Sequence, residues 1–370
     1  MHVMHVIDSL NVGGAERMLI DIANATRSDG HAISVCVTRD GRTLAGDLHP
    51  AIPLHILGRQ RRFDMAAIRQ FASLTKDIDV LHAHGRSTFS FLAFVRSLRL
   101  IDTPIILHDH FGEIELDTTV PLWFRLYGRR FLDQYVGVSQ NLADWACQAG
   151  VDPSRVQVIG NALDLDRMHR FAGHDLRADL GVREDALVGI VVCGLRREKG
   201  VHVLLNALQK CRTRDRIQIL VVGGERGPAY AAECRAQVTT MGMDDLVMFI
   251  GERPDALSLI QGADFAVIPS LSESGPLVLI EYMARGLPVV ASRTGDIARR
   301  ADSCGLEGLV DPGDPEALAA EIEKLTLSSC DERRQRGAAG TKIARENFDI
   351  RRTIPRWYDV YAAATGRRGR

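Results

Sequence analysis

The sequence predicts an α/β protein made of two parallel-sheet domains, and three observations carry that expectation. Its 370 residues exceed one typical domain and suit two. Strand and helix signals alternate almost from the first residue. The stretch 265–292 shows the repeating unit most clearly. There, two apolar, β-branched runs, Phe265–Ile268 and 287–291, read as buried parallel strands with a loop and a short helix between them. Pro276 suits the first position of that helix, and Gly286 followed by Pro288 ends it.

In chain order, residues 3–7 form a strand closed by Asp8, and Gly13-Gly14 leads into a helix from Ala15. Ala15, Met18, Leu19, Ile22 and Ala23 share one apolar face of that helix. A strand, two glycines and a helix suit a phosphate, because no side chain blocks the approach and helix N–H groups point at the anion. Strand and helix signals continue at 32–38, 65–76, 80–83, 88–98 and 104–107. His82-Ala83-His84 and His108-Asp109-His110 sit at strand ends. With no Cys or Glu at ligand spacing they are poor zinc candidates, and a structural histidine pinning a loop is the plain alternative.

The segment 119–132 mixes Trp123, Phe124, Tyr127 and Phe131 with Arg125, Arg129 and Arg130. It reads equally as an interfacial segment at an anionic membrane and as an amphipathic helix on the sheet, with Gly128 weakening the helix. The Arg-rich tail 366–370 would add to a membrane contact. Residues 135–138 and 156–159 complete the first domain, and the boundary falls at 164/165. The second domain, 165–352, begins its sheet with 187–193 and then Gly194-Leu195-Arg196-Arg197-Glu198-Lys199-Gly200. Basic residues in a glycine-bounded turn at a strand's carboxyl end are what a diphosphate needs: arginine clamps two oxygens and lysine adds a point charge. Further strands read at 217–223 and 247–251. Glu273 precedes the short helix of 276–285, and Glu281 lies on it among apolar residues, where a carboxylate needs hydrogen-bond donors. Both would suit a ligand rich in hydroxyls.

Composition excludes several classes. A net charge of −1 gives no reason to expect nucleic acid. Seven scattered cysteines without a C-x-x-C pair read as thiols of a reducing compartment. The first residues enter a strand directly, and no apolar run approaches the ~20 residues of a membrane span, so a cytoplasmic protein is expected. No G-x-G-x-x-G and no G-x-x-x-x-G-K-[ST] occurs, which argues against a dinucleotide dehydrogenase or a P-loop ATPase. No D-x-D stands at a strand end to hold a metal, since Asp164-Leu165-Asp166 lies in the linker.

Glu273 and Glu281, preceded by Pro269-Ser270 and followed by Met283-Ala284-Arg285-Gly286-Leu287-Pro288-Val289, resemble the glutamate pair of retaining nucleotide-sugar glycosyltransferases of family 4. Glu198-Lys199-Gly200, Gly13-Gly14 and Pro312-Gly313-Asp314-Pro315 extend the resemblance over nearly the whole chain. It implies the GT-B architecture: α/β, two Rossmann-like parallel-sheet domains facing a central cleft. The N-terminal one would serve the acceptor, the second would bind the donor, and the helix over about 353–370 would return to the first.

The resemblance also implies roles. His108, Arg196, Lys199 and Glu273 would be catalytic, with Arg196 standing in for an arginine that the family places at the position of Gly194. Gly13, Gly14, Gly194, Gly223, Phe249, Ile250, Gly275, Leu277, Val278 and Glu281 would line the donor. His84, Arg86 and His110 are acceptor-side candidates. Departures occur at Ser274-Gly275-Pro276, where the family writes Gly-Phe-Gly or has Pro in the last place, and at Asp296 and Arg299, where it has Gly and Glu. The expected activity is metal-free, front-face transfer of a sugar from a nucleoside diphosphate to a saccharide or lipid-linked saccharide hydroxyl in polysaccharide, lipopolysaccharide or glycolipid assembly. No cofactor beyond the donor co-substrate is expected, and the inner face of the cytoplasmic membrane is the expected place of work. A nucleotide-sugar epimerase of the same fold and a non-catalytic nucleotide-sugar binding protein are the alternatives.

Overall fold

A computed structural model describes residues 1–61, 64–168 and 175–366. It divides into two compact units. Unit 1 is Met1–Leu163 with Ile350–Arg370, and unit 2 is Asp164–Asp349. Residues 169–174 of the expected hinge, and the arginine tail beyond Gly366, lie outside the described residues.

Unit 1 carries seven strands: β1 (His2–Ile7), β2 (Ala32–Val37), β3 (Leu54–Ile56), β4 (Val80–His84), β5 (Ile105–Asp109), β6 (Gln134–Gly137) and β7 (Val156–Val158). All pair in parallel, in the order 3-2-1-4-5-6-7. Strand β3 has no counterpart among the expected elements. It is three residues long, holds His55 between two apolar residues and lies at the sheet edge, so it lacks the apolar run of an interior strand. Helices α1 (Gly14–Ser28), α2 (Met65–Leu74), α3 (Arg86–Ser97), α4 (Leu122–Phe131) and α5 (Gln140–Gln148) connect the strands. The segment that sequence left between interface and helix is helical, and Gly128 is accommodated because its bare face meets the Phe124 ring. A buried cluster that includes Phe71, Phe89, Phe124, Tyr135 and Trp145 holds these layers together.

Unit 2 carries β8 (Leu187–Val192), β9 (Ile217–Val222), β10 (Val247–Gly251), β11 (Phe265–Ile268), β12 (Val289–Ser292) and β13 (Leu309–Val310). The order is 10-9-8-11-12-13, again with every pair parallel. Its helices are α6 (Leu165–Met168), α7 (Leu176–Leu180), α8 (Val201–Lys210), α9 (Pro228–Thr240), α10 (Ala256–Gly262), α11 (Leu277–Ala284), α12 (Gly295–Ser303), α13 (Pro315–Leu327) and α14 (Cys330–Asn347). Capping residues start several of them. Asp314 accepts from the Ala317 N–H, and Ser329 with Glu332 forms a capping box.

The last helix, α15 (Ile350–Gly366), belongs to unit 1 and begins three residues before the expected start at 353. Ile350 N–H donates to the Leu163 carbonyl at 2.9 Å, so the chain re-enters unit 1 beside the point where it left. Trp357 and Tyr361 of α15 are fully buried.

In both sheets the strand order reverses once, between β1 and β4 and between β8 and β11. At such a reversal the loops beyond the strand ends diverge to opposite sides and leave space for a ligand. Trp357→Ala removes the largest anchor of α15 and is expected to cost about 3–5 kcal/mol, read as a shifted denaturant midpoint. An unchanged midpoint would show that α15 is not integral to unit 1.

Candidate functional site

At the reversal of unit 2, the turn after β8 and the loop after β11 come together. The turn continues as a short 3-10 segment, Arg197–Lys199, and ends at Gly200 with φ +66°. A Cβ on Gly200 would lie 1.9 Å from the Pro269 carbonyl oxygen, so only glycine allows the two loops to meet. Across that contact Lys199 Nζ donates to Glu273 Oε1 at 2.7 Å, and Ser270 Oγ donates to the same oxygen at 2.9 Å. Glu273 is buried, and the Lys199 side chain is 18% exposed. The Glu198 carbonyl also accepts from the Leu271 N–H at 2.7 Å, which fixes the spacing of the loops.

The loop holding Glu273 is set from behind by Gly295, the first residue of α12, at φ +72°. A Cβ there would stand 3.1 Å from both the Cβ and the carbonyl oxygen of Glu273, and the Asp296 N–H donates to the Ser274 carbonyl at 3.0 Å. That bond is one any residue at 296 would make; the Asp296 carboxylate itself lies 3.5 Å from Arg300 one turn on. Burial pushes the Asp296 carboxyl up, and Arg300 opposes this.

Helix α11 follows. Pro276 occupies the cap position, one residue earlier than expected, and its own side chain makes no cap hydrogen bond. The first-turn N–H groups of Leu277 and Val278 lie at the positive end of this helix. Tyr282 Oη accepts from the Val192 N–H at 2.7 Å and locks α11 onto β8. Glu281 is half-buried on the same helix; burial pulls the neighbouring Arg285 guanidinium down and Glu281 opposes that.

The remaining donor-side residues lie around the same strand ends. Arg196 Nε is 2.8 Å from Glu198 Oε1, with the Arg196 side chain 44% exposed. Gly194 and Gly223 mark a close approach of the turns after β8 and β9: a Cβ on Gly223 would be 1.8 Å from the Cys193 carbonyl oxygen. In edge strand β10 the pairing with β9 slips between Phe249 and Gly251, which leaves Ile250 outside the register. Burial pushes the Cys193 thiol up to about 12, so it is a neutral packing group rather than a nucleophile. Gly275 is buried in the Glu273 loop.

Unit 1 arranges its candidates differently. Gly13 caps α1, but a Cβ there would be 2.2 Å from Glu16 Oε2, so the helix's own first-turn carboxylate lies over the Gly13-Gly14 turn. Arg86 is held as a strut. Its Nε donates to Asp109 Oδ2 at 2.7 Å, Tyr135 Oη donates to the same oxygen at 2.7 Å, and the guanidinium lies 3.6 Å over the Trp145 ring.

His84 and His108 are buried, and His110, just beyond the end of β5, is half-buried. Strand register sets His5 opposite His82 and His84 opposite His108, which puts all five rings on one face of the sheet. Trp357 covers them, its ring centroid 4.6 Å from those of both His82 and His108. Sequence reasoning missed His5, because only strand pairing joins it to the two clusters. Ser270 and Gly295 were missed as well, although Ser270 stood within the Pro269-Ser270 motif.

The chain matches the family description "Glycosyl transferases group 1" over residues 187–327 and "Glycosyltransferase Family 4" over residues 12–167. It is 32% identical over 245 residues to a D-inositol 3-phosphate glycosyltransferase of Corynebacterium efficiens, covering 62% of this chain and 56% of that protein. The chain thus spans about half the length of the inositol-phosphate relatives it matches. Over 99% of its own length and 98% of the relative's, it is 24% identical to the GDP-mannose:cellobiosyl-diphosphopolyprenol alpha-mannosyltransferase of Xanthomonas campestris. In fold it is similar to Anabaena HepE, solved in complex with UDP-glucose, with a TM-score of 0.82 at 23% identity, covering 98% of this chain and 100% of that one. It is also similar to WaaG, a glycosyltransferase involved in lipopolysaccharide biosynthesis, with a TM-score of 0.71 at 17% identity, covering 98% and 97%. Both sheets agree with the GT-B fold of these structures.

Two outcomes are expected. Lys199→Met leaves the buried Glu273 without its cation and costs about 3–5 kcal/mol, whereas adding Glu273→Gln recovers much of the loss; equal losses in urea denaturation would mean that the pair is uncoupled. The histidine layer makes unit 1 acid-sensitive. Burial lowers His5 to about 3 and His110 to about 4, so the unfolded chain binds protons that the folded chain refuses between those values and 6.5. Stability therefore falls as the pH drops below about 6.5, and a melting temperature flat from pH 7 to 4.5 would contradict this.

Proposed function

This chain belongs to the glycosyltransferases of group 1 and family 4, and we propose that it moves a sugar from a nucleoside diphosphate donor to an acceptor hydroxyl. The observation that carries this reading is the Lys199–Glu273 pair at the strand-order reversal of unit 2, beside the start of α11. In the reaction the bond between the sugar's C1 and the diphosphate oxygen breaks, and the acceptor oxygen bonds to C1. The acceptor proton passes to the departing phosphate. The charge that grows on the diphosphate needs fixed donors. Lys199 supplies a point charge, Arg196 a second cation once it turns from Glu198, and the α11 N-terminus its N–H groups. Glu273, released from Lys199 by the incoming phosphate, accepts from sugar hydroxyls. Glu281 takes the ribose, and Ile250 offers backbone groups to the base.

In this reading the acceptor attacks on the face that the diphosphate leaves, retaining the configuration at C1, the route that the family resemblance implies. The cations do the work for which other transferases use a metal, so the reaction is metal-independent. Unit 1 serves the acceptor. The names of the mannosyltransferase relative and of WaaG support a lipid-linked or lipopolysaccharide acceptor. Work at the inner membrane face is part of this reading; no helix of the described residues is long and apolar enough to cross a membrane. On α4, Leu122 and Leu126 are exposed beside Arg125, Arg129 and Arg130, a composition that suits anionic headgroups.

The test is a thermal-shift panel with UDP, GDP, ADP, dTDP and CMP at equal concentration, with and without EDTA. A ligand that binds only the native state raises the melting temperature according to its affinity. One diphosphate is expected to stand out, UDP or GDP, and to do so equally in EDTA. A shift that EDTA abolishes, or none at all, would overturn the metal-free donor site.

A further inference from the structure

Five buried or half-buried imidazoles on one sheet face are costly unless their nitrogens are satisfied. In unit 1, His5 Nδ1 and His84 Nε2 share a hydrogen bond at 3.0 Å, as do His82 Nδ1 and Tyr361 Oη at 3.0 Å. His84 Nδ1 and both nitrogens of His108 are buried with no hydrogen-bond partner among the described residues. The ligand atoms of His84, His108 and His110 lie within 4.8 Å of one another. Around a tetrahedral ion with metal–nitrogen bonds of about 2.1 Å, such atoms stand about 3.4 Å apart, a difference that small ring rotations close.

We propose that His84, His108 and His110 form a binding site for a divalent transition ion of the zinc class, with His5 as its outer support. Three features converge on it. When His84 donates its Nε2–H to His5 Nδ1, its Nδ1 lone pair points away from that bond, the arrangement in which a ligating histidine is oriented by its other nitrogen. The three rings cluster, with centroids 5.3 Å apart for His84 and His108, 5.7 Å for His84 and His110, and 3.9 Å for His108 and His110. The donor set is all imidazole, because Asp109 projects to the other face and is taken by Arg86 and Tyr135; such a set suits zinc, cobalt, nickel or copper and not magnesium or calcium. His110, on the half-exposed side, gives the ion its way in and leaves a fourth position for water. The site is in unit 1 and separate from the diphosphate cations of unit 2, so the metal-free donor chemistry does not depend on it.

The full-length chain, stripped with a chelator and desalted, is titrated with Zn²⁺, Co²⁺ and Mg²⁺ in equilibrium dialysis. One equivalent of Zn²⁺ and of Co²⁺ is expected to bind, with intense visible bands of tetrahedral Co²⁺, and no Mg²⁺. His110→Ala, which opens no wholly buried position, is expected to weaken Zn²⁺ binding by more than about 100-fold, beyond what an outer-shell change costs. Substitution of the exposed His49 by Ala leaves it unchanged. No stoichiometric binding by the unmutated chain, or Zn²⁺ binding that survives His110→Ala, overturns the site and leaves buried water as the partner of these nitrogens.

Discussion

One ion pair organises the functional half of this molecule. Lys199 and Glu273 come from loops 74 residues apart in sequence, and they meet because β8 and β11 are neighbours where the strand order reverses. Almost every unusual local feature serves that meeting. Gly200 lets the turn after β8 touch Pro269, Gly295 lets α12 press against the loop of Glu273, and Tyr282 fixes α11 to β8. Two charges so little exposed are costly to desolvate, and their attraction repays that only with added hydrogen bonds, here from Ser270. A pair held at this cost is also poised for exchange. An anion that takes Lys199 frees a carboxylate beside it, so binding of a phosphate and presentation of an acceptor for sugar hydroxyls are one event.

Unit 1 repeats the topology with different chemistry. At its reversal, between β1 and β4, polar rings replace the aliphatic side chains that a doubly covered parallel sheet ordinarily holds. The layer of five histidines under Trp357 makes this sheet interior a reservoir of neutral nitrogen donors. The two units are thus opposite in electrostatic character at equivalent places in the fold: one holds fixed charges, the other titratable groups kept uncharged by burial.

Much of this was legible in the sequence, for identifiable reasons. Long apolar strands announced themselves, and the Pro269-Ser270 to Val289 stretch pointed to its glutamates because the motif is contiguous. What escaped was non-local. The edge strand β3 has too few apolar residues to signal itself, and Pro276 stands one position before the helix rather than in it. His5 joins the other histidines only through strand register, which no spacing along the chain encodes. Arg86 looked available for an acceptor, yet Asp109, Tyr135 and Trp145 hold it in place. The exchange at Asp296 has no structural explanation, since its N–H bond to Ser274 is one that any residue there would make.

The most direct test of the account is turnover by Lys199→Ala with the nucleotide sugar whose nucleoside diphosphate binds best. Loss of a charge-stabilising donor is expected to lower kcat by about 10²–10³-fold, with Arg196→Ala milder because that side chain is more exposed and begins paired to Glu198. Near-normal kcat in Lys199→Ala, with the variant folded and saturated with donor, would contradict the assignment of the pair as the centre of the reaction.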